Sequence, residues 1–168
     1  LIRIRDAKEE ELPFIREQRV KAYEDHIAKI PQGHWQELKK AILSEADVEE
    51  GVDLLVAELA GEIIASVALF PAKIDAYDGK VEELEYPEIR MLAVSPEARG
   101  KGAAKRLINE CMERAIAKGY QSIGLHTGEF MNEARNLYEN LGFERVPESD
   151  FIPAEDGIKV LGFRLSLV

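Results

Sequence analysis

The segment Val94-Ser95-Pro96-Glu97-Ala98-Arg99-Gly100-Lys101-Gly102-Ala103-Ala104 constrains this chain more than any other. An apolar, strand-like run enters it and a helical pattern leaves it. Pro96 has no N–H and ends a strand ladder. Gly100 and Gly102 let the backbone turn tightly, with N–H groups facing one point. From Gly102 to Lys118 the residues Leu107, Ile108, Cys111, Met112, Ala115 and Ile116 form a regular apolar stripe. Gly119 stands where a C-terminal cap belongs. The segment therefore reads as strand, tight turn and helix.

The rest of the chain extends that order. Leu1 to Arg5 alternates as a short strand, and Lys8 to Tyr23 reads as a helix with Leu12, Ile15, Arg19, Val20 and Tyr23 near one face. Its acidic run Glu9-Glu10-Glu11 suits a first turn. Pro31-Gln32-Gly33 signals a turn, and His34 to Leu43 a shorter helix. Asp53 to Leu59 and Glu62 to Phe70, broken by Ala60-Gly61, read as a hairpin. Pro71 to Gly79 reads as a loop, and Glu83 to Val94 as a long strand interrupted or entered at Pro87. Gln121 to Thr127 is a buried strand. Asn132 to Leu141 is a helix closed by Gly142, and Phe143 to Val146 and Ile158 to Leu167 are strands. The order β-α-α-β-β-β-α-β-α-β-β implies an α/β or α+β sheet with helices on both faces. With no repeat or linker, residues 1–168 are expected to form one domain.

Charge and cysteine usage exclude several functions. Lys and Arg number 22 against 32 Asp and Glu, a net charge of -10. A nucleic-acid partner held through its phosphates needs a basic face. An acidic surface weakly favours cationic partners such as amines. One cysteine, Cys111, allows no intrachain disulfide and no cysteine metal cluster, and belongs to the apolar stripe. This usage fits a reducing compartment. No apolar run approaches membrane-spanning length. Leu1 to Arg5 is too short and charged for a signal peptide. A cytoplasmic protein without a membrane partner is expected.

Against that acidic background, Arg99, Lys101, Lys105 and Arg106 concentrate positive charge at the glycine turn. The following helix adds unpaired N–H groups and the positive end of its dipole. Such a site suits a pyrophosphate. A Walker-type loop fails, because Gly100-Lys101 is followed by Gly102 and not by Ser or Thr. A dinucleotide loop fails too, because Lys105 stands at the third glycine position and the loop comes late in the chain. A plain strand–helix turn with solvated charge is the other reading.

Two blocks carry a resemblance. Arg99, Gly102 and Ala104 fit the pattern [Q/R]-x-x-G-x-[G/A], just after a strand ending at Val94. The segment Asn132-Glu133-Ala134-Arg135-Asn136-Leu137-Tyr138-Glu139-Asn140-Leu141-Gly142-Phe143 looks like N-x-A-x-x-x-Y-x-x-x-G-F. Together, over Glu88 to Val146, they resemble the GNAT superfamily of N-acetyltransferases. The resemblance implies a mixed, largely antiparallel central sheet of about seven strands with helices on both faces. It implies acetyl-CoA as cosubstrate and a small-molecule or peptide amine as acceptor. Leu92, Ala93 and Val94 would offer backbone groups to the pantetheine arm. Arg99, Gly100, Lys101, Gly102, Ala103 and Ala104 would hold the pyrophosphate through backbone N–H groups. Asn132 would bond the pantetheine or orient its helix, Arg135 would reach the adenosine or phosphate end, and Tyr138 would be general acid at the sulfur. Resembling proteins are often dimers, and exposed strand edges permit one.

The residues supply rival assignments. Tyr138 sits at helical spacing with Ala134, Leu137 and Leu141, as a core tyrosine does. Glu88 lies on the central strand, where two-residue alternation puts it on one face with Arg90, Leu92 and Val94. It is a candidate base acting through water, or a partner of Arg90. Glu85 competes with it. His126, between Leu125 and Thr127, suits a base or a packed strand histidine. His26, His34 and Trp35 lie where an acceptor pocket or plain surface is expected, and their spacing makes no zinc site. Glu82, Glu83 and Glu85 read as a solvated face. The alternative to an enzyme is a coenzyme A-binding sensor or regulatory module without turnover.

Overall fold

The computed structural model describes residues 1–73 and 84–168. In chain order its elements are β1 (Arg3–Asp6), α1 (Leu12–Tyr23), α2 (Gln32–Ile42), β2 (Asp53–Leu59), β3 (Glu62–Phe70), β4 (Glu88–Val94), α3 (Ala103–Ala117), β5 (Ser122–Gly128), α4 (Asn132–Asn140), β6 (Glu144–Arg145) and β7 (Val160–Ser166). The strands form one sheet in the order β1-β2-β3-β4-β5-β7-β6. Every pairing is antiparallel except β4 with β5. The order and sheet match the expected architecture. Most of the Pro71–Gly79 loop, and Glu82 and Glu83, lie outside the described residues; the strand expected from Glu83 starts only at Glu88, after Pro87.

Each sheet face carries its own apolar cluster. On one face α3 buries Ala103, Leu107, Ile108, Cys111 and Ala115 against β-strand residues including Leu55, Val67, Ile89, Ile123 and Leu125. Tyr138 and Phe143 from the α4 region complete it. A fully buried Leu or Ile of this kind contributes about 1.5–3 kcal/mol over an exposed one. Cys111 is fully buried, and desolvation pushes its thiol up to about 12. On the other face Ile15 of α1 packs with Leu54, Val56, Ala68, Phe70 and Met91.

The start of the first expected helix is tighter than an α-helix. Glu9–Glu11 form a 3-10 turn, and Pro13 follows near the head of α1. Glu11 leaves the solvated first turn and closes on Arg5, with Oε2 2.8 Å from Nη2. The buried face of α1 is Ile15, Gln18, Arg19 and Ala22. Arg19 is fully buried and donates to the Ile42 carbonyl at 2.6 Å and to Asp47 at 3.0 Å. Arg16 reaches the other oxygen of Asp47 at 2.8 Å. That carboxylate fastens α1 to the segment after α2.

The central strand does not alternate as expected. Ala68 pairs with Arg90 and Ser66 with Ala93, so Val67 alone stands opposite Met91 and Leu92. Met91 takes a left-handed φ of 59°. This is a β-bulge, and a non-glycine residue there stores roughly 1–2 kcal/mol of backbone strain. It corrects the shared face assigned to Glu88. Arg90 sits over the Phe70 ring, 4.8 Å from its centroid, on the α1 side. Leu92 and Val94 pack instead with the α3 cluster, beside Ile89.

Candidate active site

The sheet forks where its single parallel pair ends. β4 and β5 pair at Glu88–Gly124 and Ile89–Leu125, and no pair follows. Beyond these residues the strands part. A cleft of about 1100 Å³ opens there, lined by β4 from Ile89 to Val94, by His126 to Gly128 of β5, and by parts of all four helices. The site is therefore a product of sheet topology, with parallel strands pulled apart at their C-terminal ends.

One end of the cleft suits an anion. Gly100 and Gly102 have φ of 82° and 84°, and a Cβ at either would meet nothing within 4 Å. Glycine is required here by the backbone path and not by crowding. Gly102 is the N-cap of α3, and no side chain caps the helix. Its first N–H groups are thus left for an external acceptor. The basic residues divide. Arg99 bonds Asp25 and the Ala22 carbonyl, and Arg106 bonds the Ile2 carbonyl. Lys101 and Lys105 are exposed. Arg99 thereby ties the turn to the end of α1, and its hydrogen bond and charge hold the Asp25 carboxyl below the ordinary range.

The strand wall is fixed from behind. Gln18 of α1 donates to the Ala93 carbonyl at 3.1 Å and to Ser95 Oγ at 3.3 Å, and accepts from Ser66 Oγ at 2.9 Å. These buried polar groups satisfy one another, which holds the bulged end of β4 in place. The Ala93 carbonyl is thus taken, while half-buried Leu92 and Val94 line the cleft.

The opposite wall is α4. Asn132 opens this helix, is exposed and lines the cleft. Tyr138 also lines it and is only 5% exposed, with its ring edge-on to Phe143 at 5.9 Å. Burial pushes its hydroxyl well above the ordinary tyrosine range. Tyr138 thus belongs both to the α3-side apolar cluster and to the cleft lining. Arg135 is half-buried and donates to the Glu129 carbonyl at 3.1 Å, bracing the turn before α4.

Glu88 and His126 meet across the base of the fork. Glu88 Oε2 lies 3.0 Å from His126 Nδ1, and His126 Nε2 lies 2.8 Å from the Ser149 carbonyl. Their side chains are 5% and 2% exposed. Strand periodicity gives no sign of this pair, because its members lie 38 residues apart on different strands. Near the helical face, Phe130 packs edge-on against both His26 at 5.3 Å and His34 at 5.5 Å. Burial lowers the His26 pKa, and His34 Nδ1 meets Asp156 Oδ2 at 3.0 Å. Among the described residues no group of three or more His, Cys, Asp or Glu side chains is placed to hold a metal. Nor is any helix among them long and apolar enough to cross a membrane.

Comparison with known proteins agrees with this fold. N-acetyltransferase 8 of Rattus norvegicus is 29% identical over 138 residues, 82% of this chain and 58% of that protein. The uncharacterised N-acetyltransferase YjgM of Escherichia coli (strain K12) is 34% identical over 91 residues, 54% of this chain and 50% of its own. The chain thus spans little more than half the length of these relatives. An acetyltransferase of the GNAT family from Staphylococcus aureus Mu50 superposes with a TM-score of 0.73, at 14% identity and 100% coverage of both chains. YncA from Salmonella typhimurium, solved with its cofactor acetyl-CoA, gives a TM-score of 0.69 at 19% identity, covering 99% of this chain and 94% of that one. At these identities the likeness shows the fold. The model of the acetyltransferase (GNAT) family matches residues 13–143, and the chain belongs to that family.

Proposed function

We propose that this chain transfers an acetyl group from acetyl-CoA directly to a primary amine of a small molecule or peptide. The observation that carries the reading is the fork: a bulged strand end and an uncapped glycine turn line one continuous cleft with Tyr138. The backbone from Arg99 to Ala104 holds the pyrophosphate. The strand end at Leu92 to Val94 holds the pantetheine, and Asn132 bonds it from the other wall. Arg135 braces the turn before α4.

Acetyl-CoA supplies an activated thioester, and the protein supplies placement and protons. Holding amine and thioester in line accounts for much of the acceleration. A backbone N–H of the central strand stabilises the oxyanion. Tyr138 donates a hydrogen bond to the sulfur. It supplies the proton that the leaving thiolate takes up, and the amine N–H restores it. Glu88, next to cleft-lining Ile89 on β4, is assigned the base role, acting through water.

The test is release of free thiol from acetyl-CoA on addition of primary amines, small and peptidyl. Amine-dependent release by the native chain supports the reading. Binding of acetyl-CoA without release for any amine favours a coenzyme A-binding sensor.

A further inference from the structure

Two large rings, Tyr23 and Phe130, belong to neither apolar cluster of the sheet. They line the cleft instead, with two histidines between and beyond them. Tyr23, at the end of α1, stands edge-on to His26 at 6.2 Å. Phe130, just past β5, stands edge-on to His26 at 5.3 Å and to His34 of α2 at 5.5 Å. Tyr23, His26 and Phe130 are only half-buried, so each leaves ring surface uncovered by the chain. Large aromatic side chains ordinarily bury that surface in a core.

The array is held from three sides. A Cβ at Gly128 would stand 2.6 Å from Phe130 Cε1, so glycine there lets the ring lie back over the end of β5. Arg99 donates to the Ala22 carbonyl at 3.2 Å and also bonds Asp25, gripping the chain on both sides of Tyr23. The glycine turn and the first ring of the array are thereby joined directly. At the far end His34 Nδ1 lies 3.0 Å from Asp156 Oδ2 and draws α2 to the segment before β7. Among the described residues these two walls meet at His34.

Polar chemistry sits at the Tyr23 end. Burial pushes the Tyr23 hydroxyl up to about 12, so it is neutral at neutral pH, and no described residue hydrogen-bonds it. Tyr23 in turn helps to push the Tyr138 hydroxyl up, which puts the two hydroxyls in one part of the cleft. The charge of Arg90 also reaches Tyr23. A cation there disfavours an ammonium and favours the neutral amine, the form that attacks. Burial lowers the His26 pKa, which favours an uncharged ring beside Phe130.

We propose that Tyr23, His26 and Phe130 form the acceptor subsite, and that it selects a small primary amine carrying an aromatic ring. This rests on the acetyl-transfer reading above. The amine N–H donates to the Tyr23 hydroxyl oxygen, which leaves the nitrogen lone pair free to meet the thioester beside Tyr138. The acceptor's ring packs on Phe130 and His26, where an aromatic pair adds about 2- to 10-fold in affinity beyond the area it buries. An aliphatic amine lacks that pairing. A peptide would lay its backbone amides against rings that offer them no hydrogen bond.

The test is calorimetric binding of phenylethylamine, n-butylamine and triglycine amide to the full chain, alone and with coenzyme A present, with affinities expressed for the neutral amine. The proposal expects phenylethylamine to bind about 10-fold or more tightly than either of the others. Phe130→Leu keeps apolar bulk without the ring and should bring the ratio over butylamine below about 3-fold. Tyr23→Phe keeps the ring and should weaken both amines about 10-fold without moving their ratio. Equal binding of the three probes, tighter binding of triglycine amide, or a ratio that survives Phe130→Leu would overturn the aromatic subsite. A second arm follows thiol release from acetyl-CoA with phenylethylamine. Tyr23→Phe should raise KM for the amine about 10-fold and leave KM for acetyl-CoA unmoved. An equal rise in both, as a displaced glycine turn would give, would overturn the contact between Tyr23 and the amine. The binding arm needs no turnover, so failure of the subsite is separable from failure of the acetyl-transfer reading.

Discussion

Ile89 and Met91 stand two residues apart on β4 and face opposite sides of the sheet. In a regular strand they would share a face. The left-handed φ of Met91 turns the strand over between them. Before the bulge, Glu88 and Arg90 serve the α1 side. After it, Leu92 and Val94 line the cleft from the α3 side. One strand thereby turns Arg90 to the α1 side and Leu92 and Val94 to the wall assigned to the cosubstrate.

The buried carboxylate of Asp47 should be the most sensitive charge for stability. It is fully buried and faces Arg19, also fully buried. Asp47→Ala leaves the Arg19 charge with the Ile42 carbonyl alone. Loss of about 3–5 kcal/mol is expected from stranding a buried charge. Urea unfolding checks it, and a loss below about 1 kcal/mol would mean that Arg19 finds water or another partner.

Acid should weaken the fold through Glu11. Arg5 and the Lys8 N–H hold its carboxyl at about 2, well below its ordinary value. A depressed carboxyl stabilises above its unfolded pKa and ceases to do so as pH falls through the folded one. The contribution is therefore complete above about 4.3 and fades toward 2. Glu11→Gln should flatten the pH dependence of stability in that window, by roughly 1 kcal/mol after solvent screening. Denaturant midpoints across pH 2 to 6 read this directly.

Tyr138→Phe should separate chemistry from binding. The ring stays against Phe143 and only the hydroxyl is lost. A drop in kcat of about 100-fold, with acetyl-CoA affinity nearly unchanged, is expected if the hydroxyl meets the sulfur. Unchanged kcat would make Tyr138 a core residue alone. Steady-state kinetics beside calorimetric titration distinguish the two.

Much of this was legible in the chain because the signals were local. The glycine turn, the α3 stripe and the N-x-A-x-x-x-Y-x-x-x-G-F block each lie within a few turns of backbone. Single-residue periodicity could not show where partners come from far along the chain. Arg19 read as one member of an apolar face, and only the fold brings Asp47 to it. Gln18 gained its meaning from Ser66 and Ser95, which lie 48 and 77 residues away. The bulge was hidden for another reason: Met91 is not a residue that announces a positive φ. Without it, alternation grouped Glu88 with Leu92 and Val94.

The most direct test of the central claim is thermal unfolding with acetyl-CoA, coenzyme A, ATP and NAD in parallel. A ligand at about 100 times its dissociation constant adds about 2.7 kcal/mol of stability. The account predicts a shift with the two coenzyme A species and none with ATP or NAD. No shift with the coenzyme A species, or an equal shift with all four, would contradict it and leave the turn from Arg99 to Ala104 a general anion site or a plain connection.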